Sequence, residues 1–112
     1  MDRLRQRADF LAVANGARAN SAAFVLQGRR RDDEGPIRIG FTVTKKVGNA
    51  VVRNRARRRL REVYRLNADR LNPGYDLILV ARGRTLSAPW KDLNETFLRL
   101  CGKLNLLKRE ES

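Results

Sequence analysis

Histidine is absent from this 112-residue chain, cysteine occurs once, and 12 acidic residues face 25 lysines and arginines. Each shortage closes off a class of chemistry. Without histidine, the chain lacks the commonest general base and the commonest metal-binding side chain. A lone thiol, Cys101, permits no intramolecular disulfide and no thiolate cluster for zinc, and reads as a small buried hydrophobe. The scarce acids gather only at Asp32, Asp33 and Glu34. A two-metal nuclease needs convergent carboxylates, whereas consecutive side chains in a turn-rich stretch diverge, so these three read as a solvated loop without a catalytic role. No apolar run is long enough to span a membrane, and MDRLRQRADF lacks the apolar segment and cleavage pattern of a secretory signal. The expected compartment is the cytoplasm, with no membrane partner.

What the chain has is positive charge. A formal net charge of +13 and a pI near 11.4 call for an anionic partner. The charge is concentrated in KKVGNAVVRNRARRRLREVYR, residues 45–65, where nine of the 25 basic residues meet a single acid, Glu62. Asn49 offers a helix N-cap, and no Gly or Pro follows until Pro73, so a long helix is expected from Ala50. On it Ala56, Leu60, Val63 and Tyr64 form an apolar stripe, while Arg53, Arg57, Arg61 and Arg65 recur every four residues on a neighbouring one. Like charges at that spacing repel by about 0.2–0.5 kcal/mol per pair, so the row does not stabilise the helix. A polyanion lying against it removes the repulsion. Guanidinium groups also grip phosphate bidentately and stack on bases, which favours nucleic acid over a merely solvated face. Glu62 is expected to pair with Arg58 or Arg65 rather than to bind metal.

The rest of the chain reads as one small α+β domain, residues 1–112, with a sheet of three to four strands packed with three helices; residues 1–5 and 106–112 are expected to fray. Asp9 can cap a short first helix carrying Phe10, Leu11, Val13 and Ala14, stopped by Asn15-Gly16. Strands are expected over residues 22–29 and 36–44, the second alternating strictly between apolar and polar or small residues, and a third over residues 75–81, an almost continuous apolar run. Strand, long helix and strand without a hairpin imply a βαβ crossover and a parallel pair. After a basic connector over residues 82–89, Ser87 can cap a last helix whose stripe of Trp90, Leu93, Phe97, Leu100, Cys101 and Leu104 reads as core.

The run KKVGNAVVRNR followed by RRRLRE resembles the signature of the bacterial ribonuclease P protein component, and RADFLAV, FVL, RIGFTVT and YDLILVAR match its flanking features. The resemblance spans roughly residues 4–105 and is loosest in the last helix. It implies a fold like the second domain of a small-subunit ribosomal protein, with a left-handed crossover that no periodicity could reveal. It also implies an RNA-binding subunit of an endonuclease that removes the 5′ leader from precursor tRNA, with catalysis by the RNA and Mg²⁺ bound mainly by the RNA. Its partners would be that catalytic RNA and precursor tRNA, with no obligate protein partner. By the same resemblance Arg53, Asn54, Arg55, Arg57, Arg58, Arg61 and Arg65 would hold the catalytic RNA, and Lys45 and Lys46 would neutralise phosphates where the helix begins. Phe10, Val13 and Arg18 would meet the leader. Phe10 can equally be core, and for Val13 core is favoured; Ala14 and Gln27 stand where many relatives carry aromatics, which would weaken stacking on the leader. The competing readings are a structural RNA-binding protein such as a ribosomal component, which could share charge, size and fold, and an autonomous nuclease.

Overall fold

Alternation along the strands dictates a sheet with two distinct faces, and both are used. In the computed structural model, which describes residues 1–109, the strands are β1 (Asp2–Arg3), β2 (Ala17–Asn20), β3 (Phe24–Arg30), β4 (Arg38–Thr42) and β5 (Tyr75–Ala81). They form one sheet in the order β1-β4-β5-β3-β2. The helices are α1 (Arg7–Ala14), α2 (Ala50–Asn67), α3 (Arg84–Ser87) and α4 (Trp90–Lys103). β4 and β5 are parallel neighbours joined through α2, as the strand, helix, strand pattern requires. β5 is flanked on its other side by antiparallel β3.

Phe24 and Leu26 of β3, Ile39 of β4, and Leu77 and Leu79 of β5 point to the face where α2 and α4 deliver Leu60, Val63, Leu93, Phe97 and Leu100, all fully buried. The opposite face carries a smaller cluster in which Val13 of α1 and Leu4 cover Ile78. β5 is thus packed on both sides over most of its length, which is why it reads as one apolar run.

The sheet has five strands rather than three or four. β2, with the sequence ARAN, lacks the β-branched and aromatic residues that mark strands, and is held by pairing with β3 instead. β1 is only two residues long, yet it pairs with β4 and leads into the buried Leu4, so residues 2–4 of the segment expected to fray are placed against the sheet. At the other end, in the segment 106–112 expected to fray, Leu106 is buried and Leu107 bridges to Leu71; residues 110–112 lie outside those described.

Helix starts also differ from expectation. α1 begins after Gln6, placing Asp9 inside its first turn rather than at the cap. The connector at 82–89 contains the one-turn α3, which takes Ser87, and α4 starts after Pro89, whose fixed φ suits that position. Trp90 is therefore the first residue of its helix. With no preceding turn to pack it, it is 39% exposed rather than core.

Candidate nucleic-acid interface

The basic segment needs a sharp entry into α2. Gly48 sits at φ 151°, and a Cβ there would lie 2.7 Å from Val52 Cγ1, so only glycine allows this join. Asn49 then caps the helix, its side chain accepting a hydrogen bond from the Val52 N–H at 3.0 Å. Lys45 and Lys46 stand exposed on the 3₁₀ turn Lys45–Val47 just before it.

Along α2 the apolar stripe is seated as its spacing requires, with Ala56, Leu60, Val63 and Tyr64 buried. Arg53, Arg57 and Arg61 are half-buried beside it, while Asn54, Arg55, Arg58 and Arg65 are exposed. Among the described residues, only Arg65 of these arginines has a carboxylate partner, Glu62. Arg65 thus takes the role for which Arg58 was the other candidate, and its hydrogen bonds hold the Glu62 carboxyl below its usual range. Arg57 donates to the Asn54 side-chain oxygen at 3.0 Å, so the asparagine of the Arg-Asn-Arg run aims a neighbouring guanidinium. The Nε atoms of Arg53 and Arg61 are buried without an acceptor, as expected for stems laid along the helix flank.

Arg59 faces the other way. It donates to the carbonyls of Thr85, Leu86 and Ala88 at 2.8, 2.7 and 2.8 Å, and its guanidinium lies 5.9 Å from the Trp90 ring centroid. Nothing in the local spacing announces these partners, which lie 26 or more residues away.

The residues expected at the leader lie on the α1 side of the sheet. The register aligns Arg18 of β2 with Gln27 of β3, Gln27 with Ile78 of β5, and Ile78 with Gly40 of β4. Cross-strand neighbours share a face, so these four form one row. Phe10 is half-buried over its end, close enough that a Cβ on Gly40 would lie 2.6 Å from Phe10 Cε1. Phe10 is therefore packed on the sheet while keeping part of its surface open. Val13 is wholly buried against Ile78 and Leu4, so it supports the surface from beneath and offers a ligand no contact of its own. Arg18 is exposed on the outermost strand, where its Nε donates to Asn20 at 3.0 Å.

A second arginine cluster lies at the end of the same face. Asp76 is fully buried and receives Arg38 through two hydrogen bonds of 2.8 and 2.6 Å, Arg31 at 2.8 Å and Arg29 at 3.4 Å. Arg38 also lies 3.6 Å from Asp9 of α1. Burial alone would raise the Asp76 carboxyl, but the Arg38 and Arg31 hydrogen bonds outweigh it and hold it below its usual range. Asp33 is drawn into the arrangement through Arg31, which holds its carboxyl low too. Sequence reading assigned no role to Asp76, because a single acid in an apolar run gives no hint of partners 38 to 47 residues away. Burial pushes the Cys101 thiol up to about 12, so it is no nucleophile near neutrality.

Comparison with known proteins places the chain in a family. The model of the ribonuclease P family matches residues 1–105. The ribonuclease P protein component of Gluconacetobacter diazotrophicus is 55% identical, with the match covering 89% of this chain and 90% of that one. That of Brucella suis is 46% identical over 87% of this chain and 75% of its own. Among solved structures, the RNase P protein from Thermotoga maritima superposes with a TM-score of 0.77 at 29% identity, covering 100% of both chains. The Staphylococcus aureus RNase P protein shares the fold, with a TM-score of 0.82 at 23% identity, over 96% of this chain and 99% of that one. The chain belongs to the ribonuclease P protein component family, the protein subunits of an endoribonuclease of tRNA processing.

Proposed function

We propose that the arginine-bearing flanks of α2 hold the catalytic RNA of ribonuclease P, while the α1 side of the sheet receives the 5′ leader of precursor tRNA. One observation carries the first half. Arg53, Arg55, Arg57, Arg58 and Arg61 lie on a single rigid helix with no carboxylate partner among the described residues. Their mutual repulsion is relieved by phosphates, and Lys45 and Lys46 extend the same positive surface to the start of the helix. Asn54 contributes by aiming Arg57, and Arg65, already neutralised by Glu62, contributes least.

The leader half is supported by the half-open ring of Phe10 and the exposed guanidinium of Arg18 on one sheet face. An aromatic surface can stack a base and a guanidinium can meet the adjacent phosphate, a combination suited to single-stranded RNA.

The hydrolysis itself belongs to the RNA. Among the described residues, no group of three or more Asp, Glu, His or Cys side chains is placed to hold a metal ion, and the oxygens of Asp76 are already engaged by arginines. In this reading Mg²⁺ is bound mainly by the RNA subunit, and this chain's task is to bind and orient both RNAs. It does so as one domain in the cytoplasm, with no obligate protein partner.

Multiple-turnover cleavage of precursor tRNA at several Mg²⁺ concentrations tests this. The RNA-free protein should cleave nothing, and its addition should lower the Mg²⁺ that the catalytic RNA requires. Cleavage by the protein alone would place catalysis in the wrong subunit, and an unchanged Mg²⁺ requirement would remove the proposed role.

A further inference from the structure

The guanidinium of Arg59 is spent on backbone carbonyls of another element rather than on a carboxylate, and what it holds is the wall of a groove. Residues Leu86, Ser87 and Ala88 line a cleft of about 500 Å³ together with Arg55, Arg58 and Arg59 of α2. The three carbonyls that Arg59 binds belong to the α3 turn that forms this wall. At 100° per residue, Arg55 leaves α2 about 160° from the middle of the Arg53, Arg57 and Arg61 row, while Arg58 lies between, about 60° from Arg61, so the groove adjoins that row.

We propose that this groove is a second contact surface for the catalytic RNA, seating a phosphate-bearing single strand between Arg55 and Arg58 on one side and the 86–88 turn on the other. Arg59 is its positioning residue. The proposal rests on the RNA-binding reading above and goes beyond it, adding the α3 turn, far from the basic signature in sequence, to the RNA surface. Three features select the occupant. The groove presents two exposed guanidinium groups and no carboxylate, so its charge suits phosphate. Its volume lies in the range of sites that accept a nucleotide-sized group. Arg82 and Arg84, both exposed, bring further positive charge to the start of the same turn.

A fork holding three carbonyls cannot be replaced by a point charge, because an ammonium lacks the planar array of donors. Three of the five N–H donors of Arg59 are already spent on these carbonyls, so its main role is to hold the turn rather than to grip phosphate. Affinity should therefore depend on its geometry without depending on its charge.

The test uses the full chain and its catalytic RNA, with binding measured across a salt series. Ser87→Glu changes an exposed residue and leaves the Arg59 contacts alone, so the fold should be retained, while a negative charge enters the groove. It should weaken RNA binding by about tenfold or more at low salt, with the deficit shrinking as salt rises. Arg59→Met and Arg59→Lys should both weaken binding by a similar factor while leaving the salt slope unchanged, because no phosphate contact is removed. Arg58→Ala should make the slope shallower, and in the Arg59→Met background its effect should shrink, since the wall it works with is gone. Fluorescence of Trp90, the only tryptophan, reports on the α3 turn and should change when RNA binds the wild type.

Unchanged binding in Ser87→Glu would overturn the proposal, as would rescue of Arg59→Met by Arg59→Lys or a shallower slope in either. If the Arg59 variants fail to fold, Ser87→Glu decides alone. Wild-type protein that ignores the catalytic RNA would instead defeat the underlying functional reading, and Arg53→Ala losing affinity while Ser87→Glu does not would defeat only the groove.

Discussion

Arginine is used in two opposite ways in this molecule. Around Asp76 three guanidinium groups close on one buried carboxylate, and their charge is spent inside the fold. Along α2 the guanidinium groups stand side by side, and among the described residues Glu62 alone pairs with one of them. The difference lies in what surrounds the charge. The Asp76 cluster is fixed by three strands, β3, β4 and β5, and by α1 through Asp9, so it contributes to holding the sheet together. The α2 row is carried by a helix that would fold without it, so its charge remains available to a partner. The same side chain is architecture where it is matched and, in the function proposed above, a binding surface where it is not.

The largest expected effect is on the matched cluster. Asp76→Asn keeps the shape of the side chain but leaves three arginines around a neutral amide, and breaking a buried ion cluster from one side costs about 3–5 kcal/mol. Denaturant unfolding should show a loss of that order. The carboxyl titrates below its usual range when folded, so its contribution is present above the unfolded carboxylate value, about 4, and is lost as pH falls through the folded value. Wild-type stability should therefore drop in acid, and the drop should be shallower in Asp76→Asn. An Asp76→Asn protein as stable as wild type would mean that the cluster is not structural and the contrast with α2 fails.

On the unmatched side the signs reverse. Arg53→Ala and Arg57→Ala should leave stability nearly unchanged or slightly improved, because each removes repulsion. Each should weaken binding of the catalytic RNA, by about 1.5–3 kcal/mol where a charged hydrogen bond to phosphate is lost. The dependence of log K on log salt should become shallower by about 0.7–0.9 for each phosphate contact removed. Circular dichroism and salt-titrated binding separate this outcome from a folding defect. An unchanged slope in both variants would show that the row faces solvent in the complex.

Phe10 stands between the two cases, packed on Gly40 yet partly open. Phe10→Ala should weaken binding of leader-bearing precursor tRNA by about 1–3 kcal/mol relative to mature tRNA, the worth of one stacked base. Equal weakening for both RNAs, or loss of the fold, would assign Phe10 to the matched, architectural class.

How much of this contrast could be read from the residues alone depends on the range of the contacts. The α2 row was legible because its spacing and its shortage of acids are local, and helical periodicity maps sequence directly onto faces. The apolar run of β5 and the alternation of β4 were legible for the same reason. The Asp76 cluster was not, since Arg29 and Arg38 come from two other strands and are brought to it by strand register, while Arg31 reaches it from just beyond the end of β3. β2 escaped because ARAN carries no strand propensity, and its existence depends on the open edge of β3. Trp90 was misplaced by a boundary: shifting the helix start from Ser87 to Pro89 moves it from the packing stripe to the first turn. Arg59 looked like one more member of the basic run until the α3 turn supplied its carbonyls.

The smallest effect falls on Asn54, and it sharpens the comparison most because it has no charge. Its side chain accepts from Arg57 at 3.0 Å on an exposed helix face, so it acts by restricting where that guanidinium points. Asn54→Ala should leave the fold intact and weaken RNA binding by about 0.5–1.5 kcal/mol, the net worth of one hydrogen bond. The salt slope should not move, since no phosphate contact is removed, and in the Arg57→Ala background the effect of Asn54→Ala should largely vanish. Double-mutant binding measurements on these variants decide it. A full, additive loss from Asn54→Ala without Arg57 would mean that the amide touches RNA itself, and orientation within the unmatched row would then not be its contribution.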